Sequence, residues 1–263
     1  MTDLNRSPLT DPPLRTPGQS LVQQYNELLD DRVVVAVILP ITLTCLAAME
    51  WIRYFSAIPP FPWLLTFLAA GAIGWFAWRL SRTLPQLRQL RLAISGERAV
   101  GQFLEALREK GYRVFHDVLA EDFNVDHVLI GPAGIFTVET KTRTKPRRGK
   151  AQIIFDGEGI TVLGIAPDRD PLVQARAQAR WVGALLSEST GRTFSVRPVV
   201  VFPGWYIDRK PTATRDLWVL EPKALPHFLD QEPTRLGPED IAMASTHLSR
   251  LVRASERTRQ AIT

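Results

Sequence analysis

The stretch 125-VDHVLIGPAGIFTVETK-141 carries an aspartate, a glutamate and a lysine at spacings that allow them to meet. Side chains alternate along a strand, so Glu139 and Lys141 leave one face of it, two residues apart. The turn Gly131-Pro132-Ala133-Gly134 returns the chain, and the preceding strand can lay Asp126 alongside them. Two carboxylates and an ammonium at one sheet end form a set suited to phosphodiester hydrolysis. Hard carboxylate oxygens hold Mg²⁺, with Mn²⁺ as a substitute, and the rest of the shell is water and substrate phosphate. Such a metal lowers the pKa of a bound water and offsets charge developing on the phosphate. A neighbouring lysine positions the attacking water or stabilises the added negative charge.

Two further residues fit this site. Glu97 shares a helical stripe with Val100, Leu104 and Leu107, so it points inward, where an unpaired charge is costly. A metal, its water or Lys141 would satisfy it. Gln174, in the first turns of a helix opening at Asp170-Pro171, can reach the same sheet end and orient a water or a phosphate. The expected catalytic set is therefore Glu97, Asp126, Glu139, Lys141 and Gln174, with Asp126, Glu139 and Glu97 as metal ligands.

Next to it, Lys141, Arg143, Lys145, Arg147, Arg148 and Lys150 place six positive charges in ten residues. Read functionally, Arg143, Lys145, Arg147, Arg148 and Lys150 grip the backbone of a nucleic acid, DNA foremost, with salt-sensitive affinity. The same loop also suits plain solvation or attraction to anionic lipid headgroups. His127 follows Asp126 and points to the other sheet face, as a packed core histidine. His116, His227 and His247 are scattered and suggest no zinc site. Trp181, Trp205 and Trp218 are candidates for stacking on bases, though packing in a core or interface accounts for them as well.

Which elements hold these residues follows from periodicity. Leu84, Leu87, Leu90 and Ile94, then Val100, Phe103, Leu104 and Leu107, recur at helical spacing, with a break expected at Ser95-Gly96 and a stop at Gly111. Strands are expected at Tyr112–Leu119, Val125–Ile130 and Gly134–Lys141. Two more, Ala151–Phe155 and Ile160–Leu163, flank the turn Asp156-Gly157-Glu158-Gly159. The Asp170-Pro171 helix buries Leu172, Ala175, Ala179, Val182 and Leu186. Strands at Val196–Phe202 and Leu217–Leu220 and a terminal helix at Pro238–Arg257 follow. That order predicts an α/β fold, a mixed sheet flanked by helices.

Upstream the composition changes. Val33–Met49 is an uncharged run of 17 residues and Phe61–Trp78 one of 18, each within the length a bilayer span requires. Trp51, Tyr54, Trp63, Trp75 and Trp78 sit near the run ends, where interfacial rings belong. Gly71 and Gly74 would let the two helices approach closely. Arg79, Arg82, Arg88 and Arg91 follow the second run, whereas the connector around Ile58-Pro59-Pro60 carries only Arg53. The positive-inside rule then puts both termini in the cytosol. A cleaved signal peptide fits poorly, because about 30 polar residues precede the first run. A buried hairpin in a soluble core is the alternative. The net charge of +5 suits a polyanion or an anionic membrane, and the single Cys45 excludes an intramolecular disulfide. The division expected is an unstructured tail over 1–32, two transmembrane helices over 33–80, a linker helix over 81–95, the catalytic domain over 96–230 and a C-terminal helix over 231–263.

The motifs 96-GERAVGQFLEAL, 116-HDV, 125-VDHVLIGPAGIFTVETK and 170-DPLVQA, in this order, resemble the nuclease-related domain (NERD) family of the PD-(D/E)XK nuclease superfamily. The resemblance runs over roughly 105 residues, from Gly96 to about Phe202. It implies a restriction-endonuclease-like core behind the two-helix transmembrane hairpin, with Glu97, Asp126, Glu139, Lys141 and Gln174 at the family's site positions. It also implies a metal-dependent nuclease. An alternative is a nuclease fold that has lost catalysis and binds nucleic acid, protein or anionic lipid at the membrane. One departure stands out: the family usually places a glycine and a short apolar strand soon after the E-x-K, and here the basic insert Thr142–Lys150 comes first.

Overall fold

A computed structural model describes residues 14–56, 62–146, 150–167, 170–212 and 216–262. The expected connector at Ile58-Pro59-Pro60 and residues 1–13 of the expected tail lie outside them. The chain divides into two compact units, one of residues 20–92 and one joining the residues up to Gln19 with those from Ala93 onward.

The first unit is helical. Helix α1 (Gln19–Leu29) passes through one π-helical turn at Asp30–Val34 into α2 (Val35–Phe55), and α3 (Pro62–Glu105) begins in the same unit. The expected tail is thus helical from Gln19. Helices α2 and α3 meet at Trp51, whose indole N–H donates to Thr66 Oγ1 at 3.2 Å and whose ring lies edge-on to Trp63. Both helices are long and apolar enough to cross a bilayer. Their apolar side chains, among them Ile38, Ile41, Ile52, Phe67 and Leu68, stand exposed instead of filling a core. That pattern sets them apart from the hairpin of a soluble interior. Close helix approach at Gly71 and Gly74 is not seen, since a Cβ at either would meet open space.

The second unit is built on a five-stranded mixed sheet of order β1-β2-β3-β6-β8. Its strands are β1 (Arg113–Leu119), β2 (Asn124–Gly131), β3 (Gly134–Thr140), β6 (Val196–Val201) and β8 (Trp218–Leu220). The first three run antiparallel, and β6 and β8 join parallel to β3. A smaller sheet, β5-β4-β7, comprises β4 (Gln152–Phe155), β5 (Ile160–Val162) and β7 (Tyr206–Arg209). Asp156 makes the β4–β5 turn by accepting the backbone N–H groups of Glu158 and Gly159.

Helices cover both faces of the main sheet. On one, Val100, Leu104 and Leu107 pack against Leu129, Phe136, Val138, Val199 and Trp218, joined by Leu225 and Leu229 of the short α5 (Leu225–Asp230). On the other, α4 (Pro171–Thr190) and α6 (Pro238–Ile262) contribute Val182, Leu186, Ala244, Leu248 and Val252 against Val128, Ile130 and Ile135. Asp170 caps α4 as its sequence demands, accepting from Leu172 N–H at 2.8 Å, with proline following as the first helical residue.

Helix α3 does not break at Ser95-Gly96. It runs on to Glu105, a 3₁₀ turn (Ala106–Lys110) extends it, and it stops at Gly111 in the left-handed conformation. Gly96 serves a different purpose: a Cβ there would fall 1.7 Å from Thr142 Oγ1. The helix backbone is therefore pressed against the chain just beyond Lys141, and only glycine permits that approach.

A candidate metal and phosphoryl-transfer site

The site forms where β2 parts from β3. Their ladder runs from the Gly131/Gly134 turn to the His127–Val138 pair and stops. One residue further, Asp126 faces Glu139, and there the carboxylate replaces the missing ladder bond: Asp126 Oδ2 accepts the Thr140 backbone N–H at 2.7 Å. Strand β3 continues along β6 instead, and Lys141 N–H donates to Val201 O. The departure of β2 from β3 opens the sheet at the point where the acidic residues gather.

Four of the five expected catalytic residues are tied together or pressed on one another by charge, and the fifth is bonded to the lysine. Lys141 Nζ donates to Glu139 Oε1 at 2.6 Å and to Gln174 Oε1 at 2.9 Å. Glu97, Asp126 and Glu139 are buried, whereas Lys141 and Gln174 reach the surface. Burial, aided by the charges of Asp117 and Glu139, pushes the Glu97 carboxyl up to about 8, against the opposing pull of Lys141 and the Gly18 backbone N–H. Burial and the charges of Glu139 and Glu97 likewise hold Asp126 well above the usual carboxylate range, despite its bond from Thr140. Mutual repulsion between carboxylates in a buried place is the condition a divalent cation relieves.

The donors suit Mg²⁺ or Mn²⁺ in kind, being carboxylate oxygens. Glu97 Oε2 is buried and has no hydrogen-bond partner among the described residues, so one oxygen is ready for a ligand. No three such donors are already drawn into metal-binding spacing among the described residues.

Three participants escaped the sequence reading. Gln178, one turn after Gln174, is buried and donates to Glu139 Oε2 at 2.6 Å and to Asn124 O at 3.0 Å. Its signal was a polar residue flanked by Ala175, Ala179 and Val182 on the buried face of α4. Asp117 is the second. It lies between the His116–His127 and Val118–Val125 pairs, hence opposite Asp126, with φ at +50°. The third is Arg15, placed by composition in an unstructured tail. Its guanidinium is buried and bonds Asp117 Oδ2 at 2.7 Å and Glu256 Oε2 at 2.5 Å. Pro17 packs where Gly101 leaves room, and Gly18 lies against Glu97. No local pattern announces a lone arginine as buried.

His127 is fully buried on the face shared with Leu129 and Val138, away from the carboxylates. Its Nδ1 lies 2.9 Å from Nδ1 of His116, whose Nε2 is 2.8 Å from Glu105 Oε1. His127 Nε2 is 3.3 Å from Thr140 Oγ1. Burial lowers the pKa of both imidazoles, so both are neutral. One proton arrangement then satisfies every contact: Thr140 donates to His127, His127 Nδ1–H to His116, and His116 Nε2–H to Glu105. This chain fixes Thr140, whose N–H holds Asp126.

Of the basic loop, Arg143, Lys145 and Lys150 are exposed, and Arg147 and Arg148 lie outside the described residues. Trp205 and Trp218 are buried, the first donating its N–H to Arg143 O and the second stacking on Phe136. Neither is free to stack on a base. Trp181 is partly buried against Phe123.

The family model of the nuclease-related domain, NERD, matches residues 93–203, which hold every candidate catalytic residue named above. Comparison with curated proteins and with solved structures returned no match.

Proposed function

From the premise that residues 93–203 form a nuclease-related domain, we propose that this protein is a membrane-anchored, metal-dependent nuclease that hydrolyses phosphodiester bonds, with DNA the foremost substrate. The observation that carries the reading is the gathering of Glu97, Asp126, Glu139, Lys141 and Gln174 where β2 leaves β3. Asp126, Glu139 and Glu97 would hold Mg²⁺ or Mn²⁺. When bound, the metal would supply a water of lowered pKa and positive charge for the phosphate.

The remaining roles belong to the protein's own groups. Lys141, anchored by Glu139 and Gln174, keeps its ammonium at the mouth of the site, where charge on the phosphate increases. Gln174 spends its carbonyl on Lys141 and keeps its amide N–H groups for the attacking water or a phosphate oxygen. Gln178 fixes Glu139, and the Thr140 N–H fixes Asp126, so neither carboxylate has to be ordered during the reaction. A restriction-endonuclease-like core is the fold this arrangement supports.

Membrane anchorage rests on the exposed apolar faces of α2 and α3. The arginines that follow the second span favour cytosolic termini. Retention in the membrane pellet after carbonate washing tests the anchorage, and release into the supernatant would end that part of the reading.

The nuclease test is cleavage of labelled single- and double-stranded DNA and RNA by the full chain in nanodiscs, with Mg²⁺, Mn²⁺ or EDTA. Metal-dependent cutting should vanish in Asp126→Ala and Lys141→Ala. Variants that cut as well as the parent would remove these residues from the chemistry. A second reading, a scaffold that binds nucleic acid without cutting it, draws on one observation: both Glu139 oxygens are already engaged, by Lys141 and Gln178. EDTA-insensitive binding with no cleavage in any metal would favour it.

A further inference from the structure

The smaller sheet ends in a tip that core packing does not explain. Val162 and Ile165 exchange both backbone hydrogen bonds, at 2.9 and 3.0 Å, leaving Leu163-Gly164 as a two-residue turn. Both turn residues have positive φ, +52° and +82°. Such turns call for Asn, Asp or Gly in the first position. Leucine there bears a backbone cost, and its side chain is 50% exposed beside Ile165 at 73%. An asparagine would make the turn at less strain and with better solvation.

The strand pairing shows what surrounds this tip. Ile153 of β4 pairs with Val162, and Gln152 pairs with Tyr206 of β7. The tip, the start of β4 and the start of β7 therefore share one sheet end, where Tyr206 is 68% exposed and Lys150 lies two residues before Gln152. The loop feeding that end begins at Lys141 and carries exposed Arg143 and Lys145, the latter reaching Gly204. On the neighbouring helix, exposed Val173 immediately precedes Gln174, the partner of Lys141. Apolar and cationic groups are thus interleaved at the rim of the candidate site.

We propose that this rim, Leu163, Ile165 and Tyr206 with Arg143, Lys145 and Lys150, docks nucleic acid whose bases are unstacked: a single strand, or a duplex opened at the cutting point. The proposal rests on the nuclease reading. Lysines and arginines meet phosphates in any nucleic acid, whatever its form. Aliphatic tips and a phenol ring find little apolar surface on the outside of an intact duplex beyond the thymine methyl groups of the major groove. Unstacked bases offer more, either for a wedge between them or for stacking on a ring. Leu172 and Ala175, on either side of Gln174, share one apolar cluster with Ile153 and Val162 at the base of the tip, so an occupant of the rim lies toward the end of α4 that bonds Lys141.

The test uses the full chain in nanodiscs of zwitterionic lipid, in EDTA, with fluorescence anisotropy of labelled single-stranded DNA, its duplex, and the duplex with a central unpaired bubble. The parent should favour the single strand and the bubble over the duplex. Leu163→Asn with Ile165→Thr retains a residue suited to the turn, so the fold survives. It should lose about tenfold or more in affinity for the first two ligands and little for the duplex. Lys145→Gln with Lys150→Gln should weaken all three alike and flatten their salt dependence. Unchanged affinities in the Leu163/Ile165 variant, with a parent that binds, would overturn this proposal alone. A parent that neither binds nor cuts any of the ligands would overturn the nuclease reading beneath it. If the Leu163/Ile165 variant loses only co-flotation with phosphatidylserine vesicles, the rim is a lipid-docking surface and the proposal is overturned in favour of that partner.

Discussion

Replacing Arg15 with methionine tests whether the segment before α1 belongs to the domain that carries the site. The guanidinium sits between Asp117, which is fully buried, and Glu256, at 2.7 and 2.5 Å. Methionine keeps much of the stem's packing and removes the charge. Asp117 and Glu256 then remain in a place of low polarity without their cation. Breaking a buried ion pair by deleting one partner costs about 3–5 kcal/mol, mostly the desolvation of the charge left behind. In a domain of this size about 1 kcal/mol moves Tm by about 2–4 °C, so the expected fall is about 6–20 °C. The assay is thermal unfolding of the full chain in nanodiscs, followed by near-ultraviolet circular dichroism. The triple variant Arg15→Met, Asp117→Asn, Glu256→Gln should regain most of the loss, because neutral groups in the same positions carry no unpaired charge. Such non-additivity is the mark of direct contact. A fall of less than about 2 °C, or a triple variant no better than the single one, would show that Arg15 does not hold this network. By the same logic, a fragment starting at Ala93 lacks Arg15 and should be markedly less stable than the domain in the full chain.

Three further outcomes are expected. Gln178→Leu removes the donor to Glu139 Oε2; metal affinity measured by calorimetry, or kcat, should fall by about 10–100-fold, and an unchanged value would restrict Gln178 to packing. Gly96→Ala drives a methyl into Thr142 and should cost about 1–3 kcal/mol in denaturant unfolding, with recovery in a Gly96→Ala/Thr142→Gly double variant if the clash is the cause. Glu97 governs a pH dependence: its pKa rises from 4.5 to about 8 on folding, so the folded state binds more protons than the unfolded one in between. Its contribution to metal-free stability is fully present below pH 4.5 and is lost as pH rises through about 8. In EDTA the parent should lose Tm over that window and Glu97→Gln should lose less. Mn²⁺ binding at pH 7 should release protons, seen as a heat that varies with the buffer's ionisation enthalpy, and no such variation would mean that Glu97 is already ionised.

The two ends of the chain place different demands on their surroundings. In residues 20–92 apolar side chains face outward, the pattern of candidate membrane spans. From Ala93 onward most apolar side chains turn inward, the exposed Phe123, Leu163, Ile165, Val173 and Tyr206 aside, and the polar residues that are buried are nearly all in the site or behind it, among them Glu97, Asp117, Asp126, His127, Glu139 and Gln178. A core tolerates so many charges only when each is paired, shares a proton or awaits a ligand. Arg15 pairs Asp117, Lys141 pairs Glu139, and burial together with the neighbouring carboxylates pushes the pKa of Glu97 and Asp126 upward, toward the neutral form.

The sequence by itself determined whatever depends on short-range pattern. Alternation along 125–141 put Glu139 and Lys141 on one face, and they are bonded to each other. Periodicity turned Glu97 inward with Val100 and Leu104, and Asp170-Pro171 set the start of α4 and with it Gln174. Tertiary structure decided what depends on close approach between distant segments. It ran α3 unbroken through Gly96, because there the glycine answers to Thr142, 46 residues away, and not to its own helix. It drew Arg15 out of a stretch that composition marks as tail, because a buried guanidinium is stable only against carboxylates 102 and 241 residues away. It set Gln178 behind Glu139 and ended the β2–β3 ladder one residue short of Asp126. Local preferences amount to a few tenths of a kcal/mol per residue and can be read in a window of a dozen residues. Burying a charge costs several kcal/mol, and the partners that offset it are found only once the chain has folded.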